Sequence, residues 1–202
     1  KYLGPIRGIL ERASARETTV RVAAGALAKQ LLAKFDIQVI GYVVELGGVK
    51  LDVPDVPFAE RLKLRDASEI YSLDLQRDEE VKRLIDETGK AGDTLGGIVE
   101  VRVEGLPFGL GTHAQWDLKL DGRIAQAVMA VQAIKGVEIG LGFESARRPG
   151  SQVHDPIHFD ESKRNTPTLG YERPTNNAGG LEAGMTNGQP LVVRAAKKPI
   201  ST

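Results

Sequence analysis

Two short stretches concentrate groups that bind anions. Arg12-Ala13-Ser14-Ala15-Arg16-Glu17 sets two guanidinium groups around a serine, just ahead of an Ala-rich apolar run. Its Ser-x-x-Glu spacing predicts a capping box, with Ser14 accepting from backbone amides and Glu17 reaching back. A helix start offers unpaired N–H groups and the positive end of the helix dipole, so it attracts anions. A cation in the first turn works against that dipole, and Arg16 makes sense there if an anion is bound. A capped helix with surface arginines fits the same residues. The second stretch, Lys197-Lys198-Pro199-Ile200-Ser201-Thr202, places ammonium and hydroxyl groups after a strand. It suits a phosphate, and it also fits a solvated basic turn. A third cluster joins Asn176-Asn177-Ala178-Gly179-Gly180 to Gly184-Met185-Thr186-Asn187-Gly188. Such Gly and Asn density gives turns with positive φ, and either close backbone approach to a ligand or plain surface turns.

Other chemistries have less support. The chain has no cysteine, which excludes a disulfide framework, a zinc–thiolate site and a cysteine nucleophile within it. Its three histidines, His113, His154 and His158, lack a metal-site spacing, since His154 and His158 are separated across Pro156. No dinucleotide fingerprint, Walker loop, H-E-x-x-H or G-x-S-x-G is present; Gly89-Lys90 is followed by Ala91 and fails the phosphate-loop pattern.

These groups need elements to hold them. Val20, Ala24, Leu27, Leu31 and Phe35 recur at three- and four-residue spacing, predicting a helix over Thr18 to Phe35 with one apolar face. Ile37 to Val49 reads as a strand and Asp52 to Ser72 as a loop with a short helix. Asp78 to Thr88 reads as an amphipathic helix stopped by Gly89. Gly97 to Gly105 alternates Val99, Val101 and Val103 with Glu100, Arg102 and Glu104, a half-buried strand. Asp121 to Lys135 reads as a second Ala-rich helix stopped by Gly136, followed by a strand over Val137 to Phe143. Ser145 to Gly180 is polar and without periodicity, which marks a functional or disordered segment. Leu191 to Ala196 is a last strand. The helix-then-strand order occurs twice, with Gly96-Gly97-Ile98-Val99-Glu100 echoed by Gly179-Gly180-Leu181-Glu182. The expected fold is therefore α+β with an internal pseudo-duplication.

Composition bounds the class. Residues 1–202 are expected to form one domain with a sizeable core. The 41% apolar and 27% charged content is that of a globular chain. Lys plus Arg total 27 and Asp plus Glu total 27, a balance that argues against nucleic-acid binding, which needs a basic excess. No apolar run approaches the roughly 18 to 20 residues that span a bilayer. No membrane partner is expected, and a cytoplasmic location is. The ends, Lys1-Tyr2 and Ser201-Thr202, do not look like natural termini, so a fragment of a longer protein is expected.

The ordered motifs resemble the chorismate synthase family. They are Leu10-Glu11-Arg12-Ala13-Ser14-Ala15-Arg16-Glu17-Thr18-Thr19, Gly92-Asp93-Thr94-Leu95-Gly96-Gly97-Ile98-Val99-Glu100 and Trp116-Asp117-Leu118-Lys119-Leu120-Asp121. Ala133-Ile134-Lys135-Gly136-Val137-Glu138-Ile139-Gly140 and Gly150-Ser151-Gln152-Val153-His154-Asp155 follow. Asn177-Ala178-Gly179-Gly180-Leu181-Glu182 and Lys198-Pro199-Ile200-Ser201-Thr202 complete the set.

The resemblance implies an α+β fold of antiparallel sheets sandwiched with helices, commonly a homotetramer. It implies a lyase that turns 5-enolpyruvylshikimate 3-phosphate into chorismate by 1,4-anti elimination of phosphate. The family's reaction needs reduced FMN without net redox change, and some relatives reduce that flavin with NADPH. Carried over by position, Arg12, Ala13, Ser14, Gln132, Ala133, Ala183, Lys198, Pro199, Ile200, Ser201 and Thr202 match flavin-contacting residues. Gln132 stands where many relatives have Asn, and Ala183 where many have Gly. Arg16 matches a contact to the anionic small-molecule substrate. The family's histidine motifs, Gly-Glu-Ser-His-Gly and Arg-Pro-Gly-His-Ala-Asp, do not occur in this sequence. The 202 residues alone are therefore expected to be inactive. A non-catalytic FMN- or phosphate-binding module on the same scaffold is the alternative.

Overall fold

The computed structural model describes residues 4–166 and 168–200. Helix α1 (Arg7–Ala13) leads through a single 3-10 turn into α2 (Thr18–Ala33), and then to strands β1 (Gln38–Leu46) and β2 (Val49–Lys50). Next come α3 (Phe58–Ala67), α4 (Asp78–Lys90), β3 (Gly97–Glu104), β4 (Phe108–Gly111), α5 (Leu120–Met129) and β5 (Ile134–Ile139). The polar stretch expected to be functional or disordered holds 3-10 turns and two short strands, β6 (His158–Phe159) and β7 (Tyr171–Glu172). The chain then forms β8 (Leu181–Glu182), β9 (Met185–Asn187) and β10 (Leu191–Lys197).

The main sheet has the order β2-β1-β3-β10-β5, and every pairing among the named strands is antiparallel. The expected duplication is visible in it. The two helix–strand units, α2–β1 and α5–β5, flank the central β3–β10 pair. The Gly-Gly echo does not follow that symmetry: Gly96-Gly97 opens β3, whereas Gly179-Gly180 opens β8 of a separate sheet, β4-β9-β8.

Strand alternation decides the layers. Val103, Leu191, Val193, Val137 and Ile139 share a face with Leu120, Ile124 and Val128 of α5. On the opposite face, Ile40 and Tyr42 pack with Leu73 and with Phe58, Leu62 and Leu64 of α3. Tyr42, Glu100, Arg194 and Glu138 stand in register across four strands of that second face. The Tyr42 hydroxyl donates to Glu100 at 2.5 Å, and Arg194 lies 4.0 Å from Glu100 and 3.8 Å from Glu138. Burial, and then the adjacent Glu100 carboxylate, push the Tyr42 hydroxyl well above its ordinary value.

Four expectations need correction. The helix expected over Thr18 to Phe35 ends at Ala33, and its apolar stripe stands open: Val20 is 70% exposed, and Leu27, Leu31 and Phe35 are similarly open. Only Leu32, near the C-terminal end, lines a crevice with Ile37 and Val39. Helical periodicity establishes a stripe and leaves open what covers it. The second Ala-rich helix ends at Met129 rather than Lys135, because Ile134 pairs with Lys197 at the sheet edge. Ala133, at φ 69°, makes the reversal, so sheet pairing overrides local helix propensity. The strand that follows accordingly covers Ile134–Ile139, not Val137 to Phe143. Gly89 does not stop α4, which runs on to Lys90 and turns at Gly92, φ 73°.

Candidate functional site

Three segments far apart in sequence meet at one end of β10. The first is the junction of α1 and α2. Ser14 ends α1, its N–H donating to the Leu10 carbonyl, and its Oγ accepts from the Arg16 N–H at 3.3 Å. The expected capping box is not formed. Glu17 occupies the N-cap of α2 without capping it, because its carboxylate is committed elsewhere. It accepts from the Gln132 amide and pairs with Arg21 at 3.4 Å. The Gln132 hydrogen bond is the main reason the Glu17 carboxyl sits below its ordinary range, with Arg21 and Arg12 adding to it against some desolvation.

The second segment is the turn after α5. The Gln132 amide also donates to the Arg12 carbonyl at 3.3 Å, so Gln132 ties Arg12 to Glu17. Its own carbonyl oxygen, Oε1, is buried with no partner among the described residues. The third segment leaves the sheet after Lys197: the Lys198 N–H donates to the Ala133 carbonyl at 2.9 Å. Beyond it, the Ile200 carbonyl accepts from the Thr94 hydroxyl at 2.5 Å.

The structure therefore brings together Arg12, Ala13, Ser14, Gln132, Ala133, Lys198, Pro199 and Ile200, with Arg16 beside Ser14. Ser201 and Thr202 lie outside the described residues. Ala183 is not in the cluster. It occupies a positive-φ turn (φ 52°) next to Gly184, whose carbonyl accepts from Leu120 N–H at the start of α5. Ala133 follows the far end of that helix, and a ten-residue helix is about 15 Å long.

The cluster is electropositive. Arg12, Arg16 and Lys198 are exposed and make no ion pair among the described residues, while Arg21 is paired. An apolar cavity of about 460 Å3 adjoins it, lined by Val43, Leu46, Ile85, Leu95, Val99 and Ile200, with Lys197 on its wall. Cationic and amide donors beside an apolar slot can hold a ligand with a flat apolar body and an anionic tail. Sequence reasoning missed Thr94 and Gly96 as supports of this site. A Gly-Gly pair entering a strand does signal close backbone approach, the one local cue available.

The histidines lie apart from this cluster. His154 lines a separate polar crevice of about 310 Å3 with Asp155 and Glu182, and His158 is in β6. Among the described residues no group of three or more His, Cys, Asp or Glu is arranged to hold a metal ion. No described helix is long and apolar enough to cross a membrane.

Comparison with known proteins matches the whole chain, residues 1–202, to the family described as chorismate synthase. The chorismate synthase of Geobacter sulfurreducens is 54% identical over 198 residues, covering 98% of this chain and 50% of that protein. Those of Trichlorobacter lovleyi and Enterococcus faecalis are 58% and 54% identical over the same share of this chain. A solved structure described as "Crystal Structure of Chorismate Synthase" superposes with a TM-score of 0.89 at 48% identity, covering 98% of this chain and 60% of that one. The chain spans about half the length of the curated relatives it matches. With helices and antiparallel sheets in the arrangement of that neighbour, and with its whole length matched, the chain belongs to the chorismate synthase family.

Proposed function

We propose that this chain supplies the flavin- and phosphate-holding part of a chorismate synthase. The reaction is the 1,4-anti elimination of phosphate from 5-enolpyruvylshikimate 3-phosphate, a step toward aromatic amino acids. The observation that carries the reading is the convergence of Arg12–Ser14, Gln132–Ala133 and Lys198 on one spot.

The residues present fit reduced FMN. The buried Gln132 Oε1, without a partner among the described residues, is an acceptor suited to a donor such as a ring imide N–H, and leaving it empty is costly. The apolar cavity beside Lys197 and Ile200 suits a planar ring, and the unpaired cations suit a phosphate. The chemistry that reduced FMN supplies when bound is a transient gift of electron density, recovered at the end without net redox change. The chain's own residues bind and orient. Arg12 and Lys198 neutralise the cofactor's phosphate, Ser14 and the Ala133 turn shape its seat, and Arg16 attracts the anionic substrate. Neutralising a phosphate where it departs also lowers the barrier to its loss. Ala183 belongs to this proposal through the family pattern, at the far end of α5. The active form is a cytoplasmic homotetramer, and NADPH is a candidate source of flavin reduction. The 202 residues alone, without the family's histidine motifs, do not turn over.

The test is anaerobic assay of the intact protein with chemically reduced FMN and 5-enolpyruvylshikimate 3-phosphate. Chorismate formation supports the reading, and its absence overturns it. Tight FMN binding without chorismate would establish the non-catalytic module instead.

A further inference from the structure

We infer that the Asp93–Gly96 turn is the mould that positions the Lys198–Ile200 segment, with Thr94 as its positioning residue. The inference rests on the flavin-site reading above. The turn is set locally. Gly92, at φ 73°, breaks away from α4, the Asp93 N–H donates to the Thr88 carbonyl at 3.0 Å, and Asp93 Oδ1 accepts from the Thr94 N–H at 2.7 Å. These contacts aim the Thr94 hydroxyl at the Ile200 carbonyl, 106 positions away in sequence.

The segment it meets has little else to hold it. Sheet pairing of β10 ends at Lys197, Pro199 has no N–H to donate, and the Ile200 side chain is 63% exposed. Within the segment the Lys198 ammonium donates to the Pro199 carbonyl at 3.2 Å, and among the described residues three supports come from outside it. The Ala133 carbonyl holds the Lys198 N–H, and the Thr94 hydroxyl holds Ile200. Gly96 lets the segment lie close: a Cβ there would stand 2.6 Å from the Lys197 carbonyl oxygen and 3.0 Å from Pro199 Cδ. Of these, Thr94 acts farthest from the sheet. Without it the chain after Pro199 loses its only described side-chain tether, and the Lys198 side chain, whose ammonium donates to the Pro199 carbonyl, is no longer presented from a defined backbone beside the Ala133 turn.

The experiment uses the intact protein and three variants: Thr94→Val, which keeps shape and loses the hydroxyl; Thr94→Ser, which keeps the hydroxyl; and Gly96→Ala. Hydrogen exchange at the Lys198 N–H, the one amide of the segment with a described hydrogen bond, reports the order of the Lys198–Ile200 backbone, and fluorescence titration with oxidised FMN reports affinity. Thr94→Val should speed exchange of the segment and weaken FMN by about five- to tenfold each, the scale of one lost hydrogen bond. Thr94→Ser should restore both to within about twofold, a rescue that general loss of packing would not show. Gly96→Ala should weaken FMN while exchange of the α1–α2 junction stays at the parent rate. Parent-like exchange and affinity in Thr94→Val, or a Thr94→Ser as impaired as Thr94→Val, would overturn the inference. If the parent protein binds no FMN, the flavin reading fails separately, and the exchange measurement still decides whether Thr94 holds the segment.

Discussion

Asp155 offers the sharpest quantitative check on how the Gly- and Asn-rich region is held. Its Oδ1 accepts from the Thr175 hydroxyl at 2.5 Å and the Asn177 N–H at 2.8 Å, and its Oδ2 accepts from the Ala178 N–H at 2.9 Å. One carboxylate thus pins the turn that packs on Gly140 and runs into β8. Hydrogen bonds to a charged acceptor are each worth about 1.5–3 kcal/mol. Asp155 is only half-buried, and bonds sharing one acceptor do not add, so Asp155→Ala should loosen the turn by about 2–3 kcal/mol. Read locally, amide exchange at Asn177 and Ala178 should accelerate by roughly 30- to 150-fold, at 1.4 kcal/mol per tenfold. Asp155→Asn should be selective. Its remaining carbonyl can serve Thr175 and Asn177, while its NH2 group confronts the Ala178 N–H, so exchange should rise mainly at Ala178. Exchange in Asp155→Ala within threefold of the parent, or an equal rise at both amides in Asp155→Asn, would refute the reasoning.

Acid should reproduce that loss. Desolvation raises the Asp155 carboxyl, but the Thr175, Ala178 and Asn177 donors outweigh it and the net position is below 3.8. Its contribution is full above that value and disappears as pH falls through the lowered one, so protection of the two amides should follow, and Asp155→Asn should abolish the dependence. Arg12→Ala in the intact protein should weaken FMN or substrate binding by about 1–3 kcal/mol, and unchanged titrations for both would remove Arg12 from the site. Tyr42→Phe should cost about 1–3 kcal/mol through the lost bond to Glu100, measured by chemical denaturation. Because the Tyr42 hydroxyl is raised above 10.0, its contribution is complete below that pH and fades as pH rises, and the variant should lack that alkaline loss. Gly180→Ala should cost about 2 kcal/mol or more, since φ is 81° and the new Cβ would stand 2.6 Å from the Pro190 carbonyl oxygen. Gly89→Ala, in open space on α4, should instead stabilise by roughly 0.5–1 kcal/mol, and thermal midpoints should move in opposite directions.

Periodicity and residue chemistry determine much of this protein locally. The α2 and α4 helices, the β3 and β10 strands and the helix–strand duplication follow from side-chain spacing, because one residue's neighbours on a helix or strand are set locally. The anion-seeking character of Arg12, Arg16 and Lys198 follows from residue chemistry alone. Tertiary structure decided the rest, and the reason is the same in each case: the deciding partner is far away in sequence. Glu17 abandons its capping box because Gln132 arrives from 115 positions away. The second Ala-rich helix stops at Met129 because Lys197 recruits Ile134 into the sheet. Thr94 becomes a support because Ile200 folds back onto it. Ala183 shares a family pattern with the cluster yet stands at the other end of α5, a separation that no local spacing encodes.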